Sequence, residues 1–221
     1  MLKSLTLVRH GESQWNAGRR IQGQLESDLS PLGRMQARAL RRLLDKENFA
    51  AVFSSDLVRA ADTALLATGW PPDEIDVTPD LREISFGHWQ GLSPEEVHEL
   101  WPNEWEAFRK DPINCRPESG ESIEQLQQRL RRCTAMWHKE YPGMHVIAFS
   151  HGGPVRLSIL DILGMPYELW RALRVSNTGV SRIDFTENGP VLASFNNTAH
   201  FFDLKAWEEL DELQGVKGDE A

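Results

Sequence analysis

The feature that most constrains this 221-residue chain is a stretch near its start, Leu5-Thr6-Leu7-Val8 followed at once by Arg9-His10-Gly11-Glu12-Ser13. An apolar run suited to a buried strand stops abruptly at a basic pair and a glycine. Open α/β sheets place their chemistry outside the carboxyl ends of the strands, so Arg9 and His10 stand where a site would form. Arginine offers a rigid fork of donors that matches phosphate. A neutral imidazole, ordinarily titrating near pH 6.5, offers a nitrogen nucleophile. Gly11 lets the backbone approach a ligand closely. Taken alone, the triplet also fits a strand-end histidine bonded to a carbonyl. The rest of the chain bears on the choice.

The remaining pattern alternates. A long polar loop (residues 9–29) leads to Ser30-Pro31, an N-cap followed by a first-turn proline, and a helix with Met35, Ala39, Leu40, Leu43 and Leu44 along one stripe. Loops of that length inside compact domains are generally functional or disordered. Residues 51–53 form a second strand ending at Ser54-Ser55-Asp56, followed by a helix over 57–67. Residues 75–77 form a third, short strand. A glycine-punctuated loop (81–92) precedes Ser93-Pro94-Glu95-Glu96, a capping box that opens a helix. An aromatic and charged excursion follows, carrying Trp101, Trp105, Phe108, Arg109, Lys110 and Arg116. Ser122 with Gln125 caps a helix to about residue 139. A fourth strand (145–149) ends in Ser150-His151-Gly152-Gly153, and a helix runs on to Leu163 with Gly164 beyond its end. Residues 180–185 and 191–195 pair as an edge hairpin about Glu187-Asn188-Gly189. The tail after Glu208 is acidic and frayed. The sequence is therefore read as one domain, residues 1–221, with a lid-like excursion at about 88–118. It is a three-layer α/β/α arrangement, a mostly parallel sheet with an antiparallel edge strand.

Composition narrows the function classes. Hydrophobic residues are 40% and charged residues 26% of the chain, as in a soluble globular domain with a sizeable core. A net charge of −9 argues against a nucleic-acid or anionic-membrane surface, although a pocket can still be locally positive. Cys115 and Cys133 lack the spacing of a disulfide framework or a zinc site. The N-terminus reads as no signal peptide and no apolar run is long enough to span a membrane, so the cytoplasm is the expected compartment. His88, His98, His138, His145 and His200 show no metal-ligand spacing.

In a parallel sheet the strand ends at Arg9-His10, Ser54-Ser55 and Ser150-His151 open on one edge. Arg59 lies in the first turn of the helix after the second strand, and Arg82-Glu83 follows the third. Two arginines, two histidines and a helix N-terminus make a concentrated anion site, and Glu83 is a carboxylic acid that could protonate a leaving oxygen. Each residue has a plainer reading in isolation. Arg59 could pair with Asp56 or Asp62, Glu83 with Arg82, and His151 could be a buried structural histidine. Their convergence on one edge favours the site.

Four ordered stretches resemble the histidine phosphatase superfamily, the phosphoglycerate mutase-like fold. They are Leu7-Val8-Arg9-His10-Gly11-Glu12-Ser13-Gln14-Trp15-Asn16, Ser54-Ser55-Asp56-Leu57-Val58-Arg59-Ala60, Leu81-Arg82-Glu83-Ile84-Ser85-Phe86-Gly87-His88-Trp89-Gln90-Gly91, and Ser150-His151-Gly152-Gly153. The resemblance implies that His10 becomes phosphohistidine. It implies that Arg9, Arg59 and His151 hold the phosphoryl oxygens, and that Glu83 donates a proton to the leaving alcohol. Asn16 and Gly152 would help bind the phosphoryl group, and Gln22 and Gly23 would line the substrate pocket. The cationic clamp would stand in for a metal, so neither metal nor cofactor is expected. The Glu83 stretch resembles the phosphatase branch, which includes α-ribazole phosphatases and broad phosphomonoesterases, and the following insertion is short for a mutase. The expected function is hydrolysis of small phosphomonoesters, with cofactor-dependent phosphoglycerate mutase as the alternative. A non-catalytic phospho-ligand module is disfavoured, since both His10 and Glu83 are present. The hairpin leaves a homodimer open.

Overall fold

The computed structural model describes residues 1–203, so the acidic tail lies outside the described residues. Six strands form one sheet: β1 (Ser4–Arg9), β2 (Ala51–Ser55), β3 (Ile75–Thr78), β4 (His145–Ser150), β5 (Val180–Thr186) and β6 (Gly189–Asn197). Their spatial order is β3-β2-β4-β1-β5-β6. The first four are mutually parallel, whereas β5 runs antiparallel to β1 and β6 antiparallel to β5. The mostly parallel sheet with its antiparallel edge hairpin is as expected from the sequence. Seven helices are described: α1 (Gln14–Ala17), α2 (Pro31–Leu44), α3 (Val58–Thr68), α4 (Pro94–Leu100), α5 (Pro102–Lys110), α6 (Ile123–Glu140) and α7 (Gly152–Ile162).

The three layers follow from the two-residue period of the strands. Leu5 and Leu7 of β1, with Val146 and Ala148 of β4, face α6 and α7 through Leu126, Leu130, Trp137 and Leu157. Val8, Ile147 and Phe149 point the other way, onto Leu40 and Leu44 of α2 and Ala64 of α3. Strands covered on both faces carry no polar alternation, which is why the central ones read as continuous apolar runs. Each such buried side chain contributes about 1.5–3 kcal/mol relative to exposure.

Capping fixes the helix starts. The Ser93–Glu96 and Ser122–Gln125 capping boxes both close, and Ser30 accepts from Gly33 N–H at the head of α2. Two departures concern segments read as irregular. Within the long polar loop, Ser13 and Asn16 form a third capping box around the one-turn α1. After α4, the helix that the Ser93 box opens as expected, the aromatic excursion turns at Trp101 and continues as a second helix, α5.

The loop after β1 is fastened from both sides. Ser30 N–H donates to Glu12 O (2.9 Å), Glu12 N–H to Gln36 Oε1 (2.9 Å) and Gly11 N–H to Thr63 Oγ1 (2.9 Å). Gly33 makes this possible, because a Cβ there would run into the Glu12 backbone; one on Gly11 would stand 2.6 Å from Gly33 O. The start of α2 thus docks backbone to backbone on the loop that carries His10.

Candidate active site

The register of the central strands builds the site. Arg9 lies opposite Ser150 in the β1–β4 ladder, and Ser54 opposite Phe149 in the β2–β4 ladder. The residues that follow, His10, His151 and Ser55, therefore emerge side by side at one sheet edge. His10 and His151 are buried, with ring centroids 5.0 Å apart. Their expected meeting is what the structure shows.

Each ring has one engaged nitrogen. His10 Nδ1 lies 2.6 Å from Gly11 O, so it carries the hydrogen and donates, leaving Nε2 as a lone pair. His151 Nε2 is 2.9 Å from Ser55 Oγ, which already accepts from Leu57 N–H. The Ser55 hydroxyl has its own proton to give to His151 Nε2, and in that tautomer the imidazole hydrogen sits on Nδ1, an atom buried without a partner. Burial, reinforced by Arg59 and Arg9, holds His10 well below the ordinary histidine range despite the opposing Gly11 contact. Burial, then Arg59 and His10, does the same for His151. Both rings are therefore neutral at physiological pH.

Arg59 is fully buried near the start of α3, with Nη1 donating to Leu25 O (2.8 Å) and Nη2 to Gly23 O (2.7 Å). It pairs with neither aspartate considered above: Asp56 is taken by Arg82 (2.6 Å) and Asp62 by Arg34 (3.4 Å). Burial brings Arg59 down to about 10, still cationic, and burial lowers Arg9 too. Arg9 donates through Nη1 to Val175 O (2.8 Å), and the Nε atoms of both arginines are buried without partners. A buried donor left unpaired costs free energy, so these are atoms poised for a ligand.

Because Arg82 is committed to Asp56, Glu83 is not its partner. The Glu83 carboxylate instead accepts from Gly153 N–H (3.2 Å) at the start of α7 and from Ile84 N–H (2.8 Å). Its backbone carbonyl is held by Gln24 Nε2 (3.1 Å) and Arg129 Nη2 (3.0 Å). A cavity of about 260 Å³ is walled by Arg9, His10, Asn16, Gln22, Gly23, Arg59 and Glu83. Gly152 does not border it; it lines an adjoining cavity of about 280 Å³ that also touches Arg9 and Glu83. Asn16 Oδ1 takes Ser13 N–H (3.3 Å) and Asn177 Nδ2 (3.3 Å), and Gln22 Oε1 takes the Ser13 hydroxyl (2.8 Å). With both oxygens engaged, each amide NH₂ is left as the donor to offer a ligand.

The aromatic excursion splits in role. Trp105 and Phe108 pack on the buried Trp89 at 5.5 and 5.3 Å and line the first cavity. Trp101 meets His88 edge-on, with ring centroids 4.2 Å apart, and lines neither cavity. Sequence reasoning missed Asn177, which also donates to His10 O (3.0 Å), and Arg156. Asn177 was recoverable: an antiparallel neighbour of β1 begins at the edge where the parallel strands end. Arg156, in the second turn of α7, carries no local signal.

Among the described residues no helix is long and apolar enough to cross a membrane. The family model of the histidine phosphatase superfamily (branch 1) matches residues 5–198. The chain belongs to this superfamily. A metal-independent phosphoserine phosphatase of Arabidopsis thaliana is 38% identical over 89% of this chain and 82% of its own. A protein of Yersinia enterocolitica named "Probable phosphoglycerate mutase GpmB" is 34% identical over 94% of this chain and 97% of its own. Among solved structures, a histidine-to-alanine mutant of the phosphoserine phosphatase of Entamoeba histolytica in complex with phosphoserine shares 30% identity at a TM-score of 0.80, covering 90% of this chain and 99% of that one. The three-layer fold is thus that of a histidine phosphatase.

Proposed function

We propose that this histidine phosphatase hydrolyses small-molecule phosphomonoesters without a metal, through a phosphohistidine on His10. One observation carries the reading. The Nδ1–H of His10 is committed to Gly11 O, so Nε2 presents its lone pair beside Arg9, Arg59 and His151, each of which has one buried nitrogen without a hydrogen-bond partner. The first step forms the Nε2–P bond and breaks the ester P–O bond, while the alcohol oxygen leaves with a proton from Glu83. In the second step water attacks phosphorus, Glu83 takes its proton, and the P–N bond breaks to return His10 and inorganic phosphate. Splitting one displacement in two lowers each barrier. The arginines, His151 Nδ1–H and the Asn16 amide stabilise charge on the equatorial oxygens. Gln22 and Gly23 line the ester's path, with Gly152 beside Arg9. Trp105 and Phe108 form a lid over it.

Phosphatase is favoured over mutase. The Arabidopsis relative at 38% identity is a phosphatase, and the helices above the cavity contribute aromatic rather than cationic walls. Incubation with 3-phosphoglycerate decides: a phosphatase releases inorganic phosphate and forms no 2-phosphoglycerate. Turnover of p-nitrophenyl phosphate in excess EDTA, an acid-labile phosphoenzyme on rapid quench, and loss of both in His10→Ala are the expected results. An active His10→Ala protein overturns the nucleophile assignment.

A further inference from the structure

Arg9 and Glu83 stand on the border between the two cavities, and Phe86 and Phe108 form part of both walls. One cavity holds His10. The other lies past Glu83, on the side where a departing alcohol group receives its proton. It is walled by Ile84, Pro112, Ile123 and Trp170, floored by the glycines that open α7, and contains one further cation, Arg156.

Arg156 is not consumed by the fold. Its Nε donates to Leu173 O (2.8 Å), and its guanidinium lies 5.8 Å from the centre of the Trp170 ring. Among the described residues neither terminal nitrogen has a hydrogen-bond or ion-pair partner. Burial lowers its pKa, and the nearby Glu83 opposes that shift. An arginine clamped at Nε with both terminal amino groups turned to a small, mostly apolar chamber is preset for a planar, bidentate anion. The apolar walls strengthen the pairing by excluding water. A single cation suits one negative charge better than the two of a second phosphate.

On the reading that this site is a phosphatase, we propose that Arg156 binds a carboxylate on the leaving group, so that the preferred substrates are phosphate monoesters of small hydroxy acids. Trp170 orients the guanidinium, and Glu83 sits between the carboxylate subsite and the phosphorus, within reach of the bridging oxygen.

The test compares kcat/KM of the parent and of Arg156→Met and Arg156→Lys on O-phosphoserine, 3-phosphoglycerate, glycerol 3-phosphate and p-nitrophenyl phosphate. The parent is expected to favour the two carboxylate esters. Arg156→Met is expected to lower kcat/KM on them about 30-fold more than on the other two, mostly through KM, because charged hydrogen bonds lost in a buried site are worth factors of this order. Arg156→Lys is expected to recover part of the loss. Equal losses on all four esters, with or without a fall in thermal stability, would assign Arg156 to supporting α7 and overturn the proposal, as would no loss at all. A parent that hydrolyses glycerol 3-phosphate and p-nitrophenyl phosphate but not the carboxylate esters also overturns it, while leaving the phosphatase reading intact. A parent inactive on every ester refutes the phosphatase reading itself.

Discussion

Arg129 joins stability to catalysis through a single side chain. Its Nε and Nη2 form a forked pair with Glu121 at 2.8 and 2.9 Å, while Nη1 holds Asp80 O (2.7 Å) and Nη2 also reaches Glu83 O (3.0 Å). Both partners are largely buried, at 8% and 13% side-chain exposure, so solvent cannot replace what is lost. Arg129→Met preserves bulk but strands a buried carboxylate and leaves two carbonyls short of a donor. Removing one partner of a buried pair costs about 3–5 kcal/mol, against a total of about 5–15 kcal/mol for a typical domain. With a urea slope of about 2–3 kcal/mol per M, the unfolding midpoint should fall by about 1–2 M. Adding Glu121→Gln removes the stranded charge and should restore at least ~1 kcal/mol. A midpoint within about 0.3 M of the parent would show that the pair is not worth what its burial implies. A double variant no more stable than the single would refute the stranded-charge argument. In either protein the Glu83 carbonyl keeps only its Gln24 contact, so hydrolysis of alkyl phosphates should slow more than that of p-nitrophenyl phosphate.

Two further predictions rest on local geometry. Burial pushes His200 down to about 4, and its Nε2 meets Thr178 Oγ1 at 2.9 Å. As pH falls below about 6.5 the unfolded chain takes up that proton first, so stability should drop between pH 6.5 and about 4, by about 3 kcal/mol at 1.36 kcal/mol per unit. His200→Gln should flatten the profile by about one proton in that window, and an unchanged slope in denaturant titrations would count against the assignment. A Cβ on Gly153 would collide with Glu83 Oε1. Gly153→Ala should therefore cut turnover of alkyl phosphates by about 100-fold while sparing p-nitrophenyl phosphate, whose leaving group needs little protonation. Equal loss on both would mean that the substitution damages the phosphoryl clamp instead.

Much of the layout was legible because it depends on local rules. The strands of the central sheet announce themselves as apolar runs, and the serine caps of α2, α4 and α6 locate helix starts to the residue. Parallel order then brings Arg9, His10 and His151 to one edge without any tertiary detail. What escaped depends on partners distant in sequence. The fate of Arg59 turns on Asp56 and Asp62 being claimed by Arg82 and Arg34, which no spacing rule states. Gly152 reads as substrate-binding, and only the packed structure shows that it borders the neighbouring chamber beside Arg9. Trp101, Trp105 and Phe108 share a helical spacing, yet the bend at Trp101 between α4 and α5 sends the first of them away from both cavities. Arg156 belongs to the same class, since its isolation is a property of the chamber.

The segment bearing Trp105 and Phe108 contributes no strand to the sheet. It is moored by Arg171 on the Phe108 carbonyl (3.2 Å) and by Glu104 on Glu118 N–H (2.8 Å). Its side chains can therefore be exchanged without disturbing the ladders that aim His10 and His151. The aromatic wall of the His10 cavity is thus carried on a stretch of chain separate from the strands, and reshaping that wall begins on α5, whereas the Arg156 chamber shares α7 with the histidine pair.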